Sequence, residues 1–304
     1  MAFAAFGGGA AREPAPLKKG RVAIALLAPG IAYLVLFYLT PLISLVMTSF
    51  QTIDPELFEI GRYVQAFRWE NYVDAMSQYW PQFLRSFVYA LIATVVALLI
   101  SYPIAYFIGV TARPWPFIQA LALVLVIAPF FISFLLRTLA WKQFFGDNAF
   151  IATTLHAWGI LPPDQNIVGT PFAVVFGLVY NFIPFMTLPI YASLERLDTR
   201  YLEAGSDLYA TPSTVFWRVT LPLSLPGVVS GTLLTFIPIA GDYINAAPEY
   251  LGGPDTTMIG NVIEYSFLRL QTYPIAASLS VCLMAVILVF VSVYVRRTGT
   301  EDLL

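Results

Sequence analysis

The chain has 304 residues, of which 59% are hydrophobic, 15% aromatic and only 11% charged. Soluble domains carry about 25% charged residues, and no soluble core of this length hides so much apolar area, so lipid must replace water over most of the surface. A net charge of −2 argues against a nucleic-acid partner, which needs a basic field; the single cysteine, Cys282, excludes an internal disulfide, and the single histidine, His156, excludes a multi-histidine metal site.

In chain order, residues 1–20 read as a disordered cytoplasmic tail, rich in Gly and Ala as far as Pro16. The first uncharged run, 22–47, is too long for the apolar part of a signal peptide and no cleavage pattern follows, so it reads as a retained anchor. Five more runs lie within 86–112, 114–136, 165–194, 219–241 and 270–295. About 20 residues cross the hydrocarbon, and each charge at its centre costs about 2.5–3.5 kcal/mol or more. The fold class expected is therefore all-α, with six transmembrane helices in one domain over 21–298 and a short cytoplasmic tail at 299–304. Between the spans, 48–85 and 137–164 mix aromatics, prolines and charges, and predict short interfacial helices holding Trp69, Trp80, Trp141 and Trp158. No internal repeat supports an inverted-repeat secondary transporter.

Position of the cations sets the orientation. Arg12, Lys18, Lys19, Arg21, Arg113, Arg196, Arg200, Arg218, Arg296 and Arg297 fall on one side, and Arg62, Arg68, Arg85, Arg137, Lys142 and Arg269 on the other, beside Asp54, Glu56, Glu59, Glu70 and Asp74. Both termini are expected in the cytoplasm.

Chemistry that would power a machine is missing. A phosphate-binding loop needs Gly-Lys, whereas Lys18, Lys19 and Lys142 follow Leu17, Lys18 and Trp141. One histidine cannot form HExxH, and no serine lies in G-x-S-x-G.

The largest cytoplasmic surface is 195–222, with charges at Glu195, Arg196, Asp198, Arg200, Glu203, Asp207 and Arg218. Asp198 and Thr199 supply N-cap chemistry for a helix over 201–210, and Pro212 with Ser213 starts a second one running to about Thr220. Apolar Tyr201, Leu202, Leu208, Tyr209, Val215, Phe216 and Val219 lie among the charges, which fits a helical knob docking into another protein's groove or, equally, an amphipathic loop lying on headgroups.

This stretch resembles the EAA loop of ATP-binding-cassette (ABC) importer permeases: E-A-A, three residues, G, nine residues, then I-x-L-P. Here stand Glu203, Ala204 and Gly205, then Tyr209, then Val219, Thr220, Leu221 and Pro222, with the spacing kept. Tyr209 replaces the glycine, so the tight turn is expected to be made elsewhere, through Gly205 or Pro212. Pro129 to Ser133 with Leu136, Arg137 and Thr138, and Leu251 to Thr256 with Met258 to Asn261, are similar to segments of the spermidine/putrescine-type permeases. Related iron, sulfate and opine permeases share parts of the layout. The resemblance covers most of 86–295.

What the resemblance implies is a type I ABC importer permease that is not itself an enzyme. It also implies a second homologous permease subunit, two ATPase subunits that hold ATP and Mg, an extracytoplasmic binding protein, and no cofactor in this chain. Glu203 would contact the ATPase, with Ala204, Gly205, Asp207 and Tyr209 in the same knob and Phe216 and Arg218 beside it. A polyamine cargo calls for carboxylates and aromatic faces along the path. Asp242 with Tyr243 at the end of the fifth run is the first candidate; the alternative is that Asp242 caps the helix. Glu249, Tyr250, Asp255 and Glu264 follow in the acidic outer loop, as ligands or as solvated surface. Tyr180 and Asn181 interrupt the fourth run, lining the path or bonding within the bundle. Arg137 would repel a cation and is expected to pair with a nearby acid. Other readings are the same architecture with ferric iron, sulfate, opine or sugar as cargo, or an autonomous channel or membrane enzyme.

Overall fold

The computed structural model describes residues 19–53, 62–160, 162 and 165–298. The tails at 1–18 and 299–304, and Asp54, Glu56 and Glu59, lie outside the described residues. The chain divides into two units, Met1–Met47 and Thr48–Leu304. The first holds α1 (Lys19–Leu34), a π-helical turn (Val35–Leu39) and most of α2 (Thr40–Ser49). The turn ends two residues before Pro41, whose ring supplies no N–H to the helix ladder.

In the second unit a two-stranded antiparallel ribbon, β1 (Gln51–Ile53) and β2 (Tyr63–Gln65), sets Thr52 opposite Val64. Then comes α3 (Glu70–Tyr106), with a π turn (Phe107–Thr111) at its end. The described residues of 48–85 are thus not a set of short helices: they form the end of α2, the ribbon and an N-terminal extension of the second span. Glu70, Asp74 and Arg85 keep that extension out of hydrocarbon without stopping the helix, which only kinks at Tyr79 (φ −113°, ψ 15°), two residues before Pro81. Asn71 Nδ2 donates to the carbonyls of Ser49 (2.9 Å) and Gln51 (2.8 Å), tying the ribbon to α3.

The third span departs from a straight 114–136 helix. It comprises α4 (Pro116–Ile127) and a 3-10 turn (Ala128–Phe131), followed across extended Ile132 and Ser133 by α5 (Phe134–Phe145), with a bend of 95°. A short α6 (Phe150–Ala157) follows. The fourth span is α7 (Pro171–Glu195), the fifth α10 (Leu221–Ala240) and the sixth α12 (Tyr273–Thr298), with α11 (Ile259–Leu268) before it. Among the described residues five helices are long and apolar enough to cross a membrane, and the bent pair makes six.

At the centre α7 packs between α3 and α10. Small residues allow this: Ala90, Ala93, Ala97 and Ala105 of α3 are buried, and Gly227 and Gly231 of α10 meet α7 directly. A Cβ on Gly227 would lie 2.6 Å from the Pro189 carbonyl oxygen, and one on Gly231 2.9 Å from that of Met186. This is the small-x-x-x-small seam by which helices associate in lipid, where no hydrophobic force distinguishes a neighbour from an acyl chain. Tyr102 and Ser224 hydroxyls at 2.8 Å join α3 to α10, and Ser101 Oγ donates to the Ile183 carbonyl at 3.2 Å.

Candidate functional site

After α7, three residues lead into α8 (Thr199–Asp207). Asp198 Oδ1 accepts from the Arg200 amide at 3.0 Å, the expected N-cap. The next helix, α9 (Pro212–Val215), is capped by Thr211, whose Oγ1 accepts from the Thr214 amide at 3.3 Å. It is not a free-standing second helix, because it runs through a π turn (Phe216–Thr220) into α10, giving one continuous element, Pro212–Ala240.

The turn between α8 and α9 is made at Tyr209 itself, with φ +56°. The Ala210 amide donates to the Gly205 carbonyl at 3.1 Å, the six-to-one bond of a helix ending on one left-handed residue. Glycine takes that conformation without penalty, and another L-residue gives up about 1–2 kcal/mol. Gly205 serves a different need: its Cβ would lie 2.9 Å from Val215 Cγ2, so it lets α8 and α9 close on each other. Tyr209→Gly is accordingly expected to stabilise the isolated subunit by about 1 kcal/mol, read as a higher melting temperature. A lower one would show that the tyrosine ring outweighs its backbone strain.

Glu203, Ala204 and Asp207 are exposed along α8, and Leu208 and Tyr209 at the tip are 81% and 97% exposed. Arg218 is exposed as well. Phe216 turns the other way: its ring packs edge-on against Tyr102 (5.5 Å) and Tyr106 (6.0 Å) of α3. Its neighbour Trp217, which the spacing did not single out, is 64% exposed. The knob is therefore polar along one side and apolar at its tip.

On the other side of the bundle, Asp242 follows α10 and is buried. Its Oδ2 accepts from the Asn245 amide (2.8 Å) and its Oδ1 from Asn245 Nδ2 (3.1 Å). Asn245 Oδ1 accepts from Asn181 Nδ2 at 3.1 Å, and Asn181 Nδ2 also reaches Thr138 Oγ1 at 3.2 Å. A buried polar chain thus links α5, α7 and the loop after α10. That loop lies hard against its neighbours: a Cβ on Gly177 would meet Leu251 Cδ1 at 2.4 Å, and one on Gly260 the Asp242 carbonyl at 2.4 Å. Asn261 ties α11 in, its Nδ2 donating to the Tyr243 carbonyl at 2.6 Å.

The other path candidates are dispersed. Tyr243, Glu249 and Asp255 are exposed, and Tyr250 and Glu264 are half-buried. Lys142 Nζ donates to the Glu249 carbonyl at 2.8 Å. Tyr180 lines an apolar cavity of about 520 Å³ with Pro103, Phe107, Pro129 and Ile183, and packs on Trp141 at 5.1 Å. Arg137 does not pair with an acid among the described residues. It is 7% exposed, its guanidinium carbon lies 5.7 Å from the centre of the Phe134 ring, and Nε and Nη1 are buried without hydrogen-bond partners.

Comparison with known proteins decides the family. Residues 116–297 match the family described as binding-protein-dependent transport system inner membrane component. The chain belongs to that family of permeases. This permease is 35% identical to the spermidine/putrescine transport system permease protein PotB of Haemophilus influenzae, over 87% of its own length and 90% of the relative's. Against PotB of Escherichia coli it is 34% identical, over 88% and 94%. Against the sulfate transport system permease protein CysW of Synechocystis it is 28% identical, over 93% and 96%. Among solved structures it superposes on a chain of a bacterial ABC transporter that imports alginate, with a TM-score of 0.66 at 18% identity over 93% and 96% of the two chains. The expected fold, an all-α ABC importer permease of type I, is the fold observed, and the chain is a transport permease of the inner-membrane type.

Proposed function

We propose that this permease translocates polyamines, spermidine and putrescine, delivered by an extracytoplasmic binding protein. The observation that carries the reading is the 35% identity to a permease of that name over nearly the whole of both chains. The permease would pair with a second homologous subunit and two ATPase subunits that hold ATP and Mg, both of its termini facing the cytoplasm. Ten cations in the segments expected on the cytoplasmic side against six in those expected outside support that orientation. ATP hydrolysis belongs to the ATPases, because this sequence has no phosphate-binding loop.

In this reading the α8 knob is the input. Glu203, Ala204, Gly205, Asp207 and Tyr209 contact an ATPase, Arg218 flanks them, and Phe216 holds the knob to α3. ATP favours the closed ATPase pair, and its differential affinity for the two states supplies the free energy for rocking the bundles. Toward the outside, Asp242 and Asn181 hold the loop that borders the path, while Tyr180, Tyr243, Glu249, Asp255 and Glu264 offer aromatic and acidic groups to a passing cation.

A second reading, an anionic cargo, has one observation in its favour: Arg137, buried with no acid beside it among the described residues. Purifying the complex with its binding protein and measuring ATP hydrolysis separates the two. Stimulation by spermidine or putrescine with no response to sulfate is expected; stimulation by sulfate alone overturns the polyamine reading, and activity of the purified chain without any ATPase overturns both.

A further inference from the structure

Arg113, in the short connection between α3 and α4, has a use beyond its charge. Its guanidinium bonds to four backbone carbonyls. Nε donates to Gly109, one Nη to Leu197 at 2.9 Å, and the other Nη to both Leu194 and Glu195, the latter at 2.6 Å. Leu194 and Glu195 are the last residues of α7, whose carbonyls form the negative end of its dipole; the Leu194 oxygen also accepts from the Leu197 amide at 3.2 Å. The Glu195 carboxylate has its own partner, its Oε1 accepting from Tyr191 Oη at 2.6 Å.

The surfaces it joins are already in contact. A Cβ on Gly109 would lie 3.0 Å from Leu194 Cβ, so the π turn ending α3 sits directly on the last turn of α7. From the clamped Leu197 carbonyl the chain has only Asp198 before α8, and Asp198 is itself fixed as the N-cap. No slack separates the clamp from the knob.

We infer that Arg113 is a positioning residue for energy coupling. It welds the root of α8 to the cytoplasmic ends of the second and fourth spans and the start of the third, so that displacement of α8 moves these spans together. Lysine cannot substitute, because a single ammonium is a point donor and four carbonyls set around a planar fork are beyond its reach. The role rests on the reading that α8 receives the ATPase stroke.

The test uses the assembled complex with Arg113→Met and Arg113→Lys. Spin labels at Thr111→Cys and Arg200→Cys, in a Cys282→Ser background, report the distance across the joint. With Arg113 present a single narrow distribution is expected, with and without ATP; in Arg113→Met it should broaden at least twofold. Cargo taken up per ATP hydrolysed in proteoliposomes should fall about tenfold, with basal hydrolysis unchanged and Arg113→Lys giving little rescue. A narrow distribution with wild-type coupling in Arg113→Met overturns the proposal, as does a fall in uptake and hydrolysis that merely follows lost assembly. Failure of α8 to cross-link to an ATPase in the unsubstituted complex would instead refute the reading of the knob, and the distance measurement stands apart from that outcome.

Discussion

Glu203→Ala is expected to cut cargo uptake about thirtyfold while leaving the melting temperature of the solubilised subunit unchanged. The side chain is exposed on α8, so its removal empties no core and strands no partner among the described residues. What it removes is an acceptor in the surface proposed to meet the ATPase. Truncating one member of a charge pair that becomes buried on association costs about 2–5 kcal/mol, and the lower value is about thirtyfold in equilibrium. Glu203→Gln should keep part of the function, because the amide oxygen still accepts. Basal ATP hydrolysis in the complex should persist while its stimulation by loaded binding protein is lost. Normal coupled uptake in Glu203→Ala would remove α8 from the transmission path.

Gly227→Leu should damage the packing of the central helices severely. A bare Cβ at this position already meets Ser193 Oγ at 2.5 Å and the Pro189 carbonyl at 2.6 Å, so three further carbons force α10 away from α7. Overpacking a close-packed site costs about 1–3 kcal/mol, and an obstructing backbone cannot rotate aside as a side chain does. At the upper figure the melting temperature falls by about 5 °C for a chain of this length. Gly241→Ala is the matched control, because a Cβ there meets nothing nearer than Leu283 Cδ2 at 3.9 Å. Equal melting temperatures for Gly227→Leu and Gly241→Ala would show that the α7–α10 seam is not the structural centre.

Much of the fold was legible because hydrocarbon penalises charge so heavily. Uncharged runs marked the spans, and the caps at Asp198 and near Pro212 marked the knob. Legibility failed where that penalty stops acting. Beyond the bilayer α3 continues through Glu70, Asp74 and Arg85 as readily as a loop would, so composition did not separate the two. At Tyr209 the motif's glycine position did mark the turn, but the tyrosine pointed away from it, since its left-handed backbone is imposed by the helices it joins rather than favoured by tyrosine. Asn181 stood out as polar in an apolar run, but its partner Asn245 lies 64 residues away and no spacing rule connects them. Arg113 looked like any cation between two spans, because backbone carbonyls, its partners, are invisible in a list of side chains.

The bend after Phe131 also bears on the surrounding lipid. The 12 residues of α4 and four of the 3-10 turn rise about 26 Å, about 4 Å less than a typical hydrocarbon slab. Acyl chains facing Phe117, Val124 and Leu125, all exposed in the single chain, would meet a column shorter than themselves, and a leaflet that thins there keeps Phe131 in oil rather than water. A thicker, sterol-like bilayer would resist that dimple and weigh on whichever state deepens it, making membrane thickness a control on turnover that acts without touching the motor.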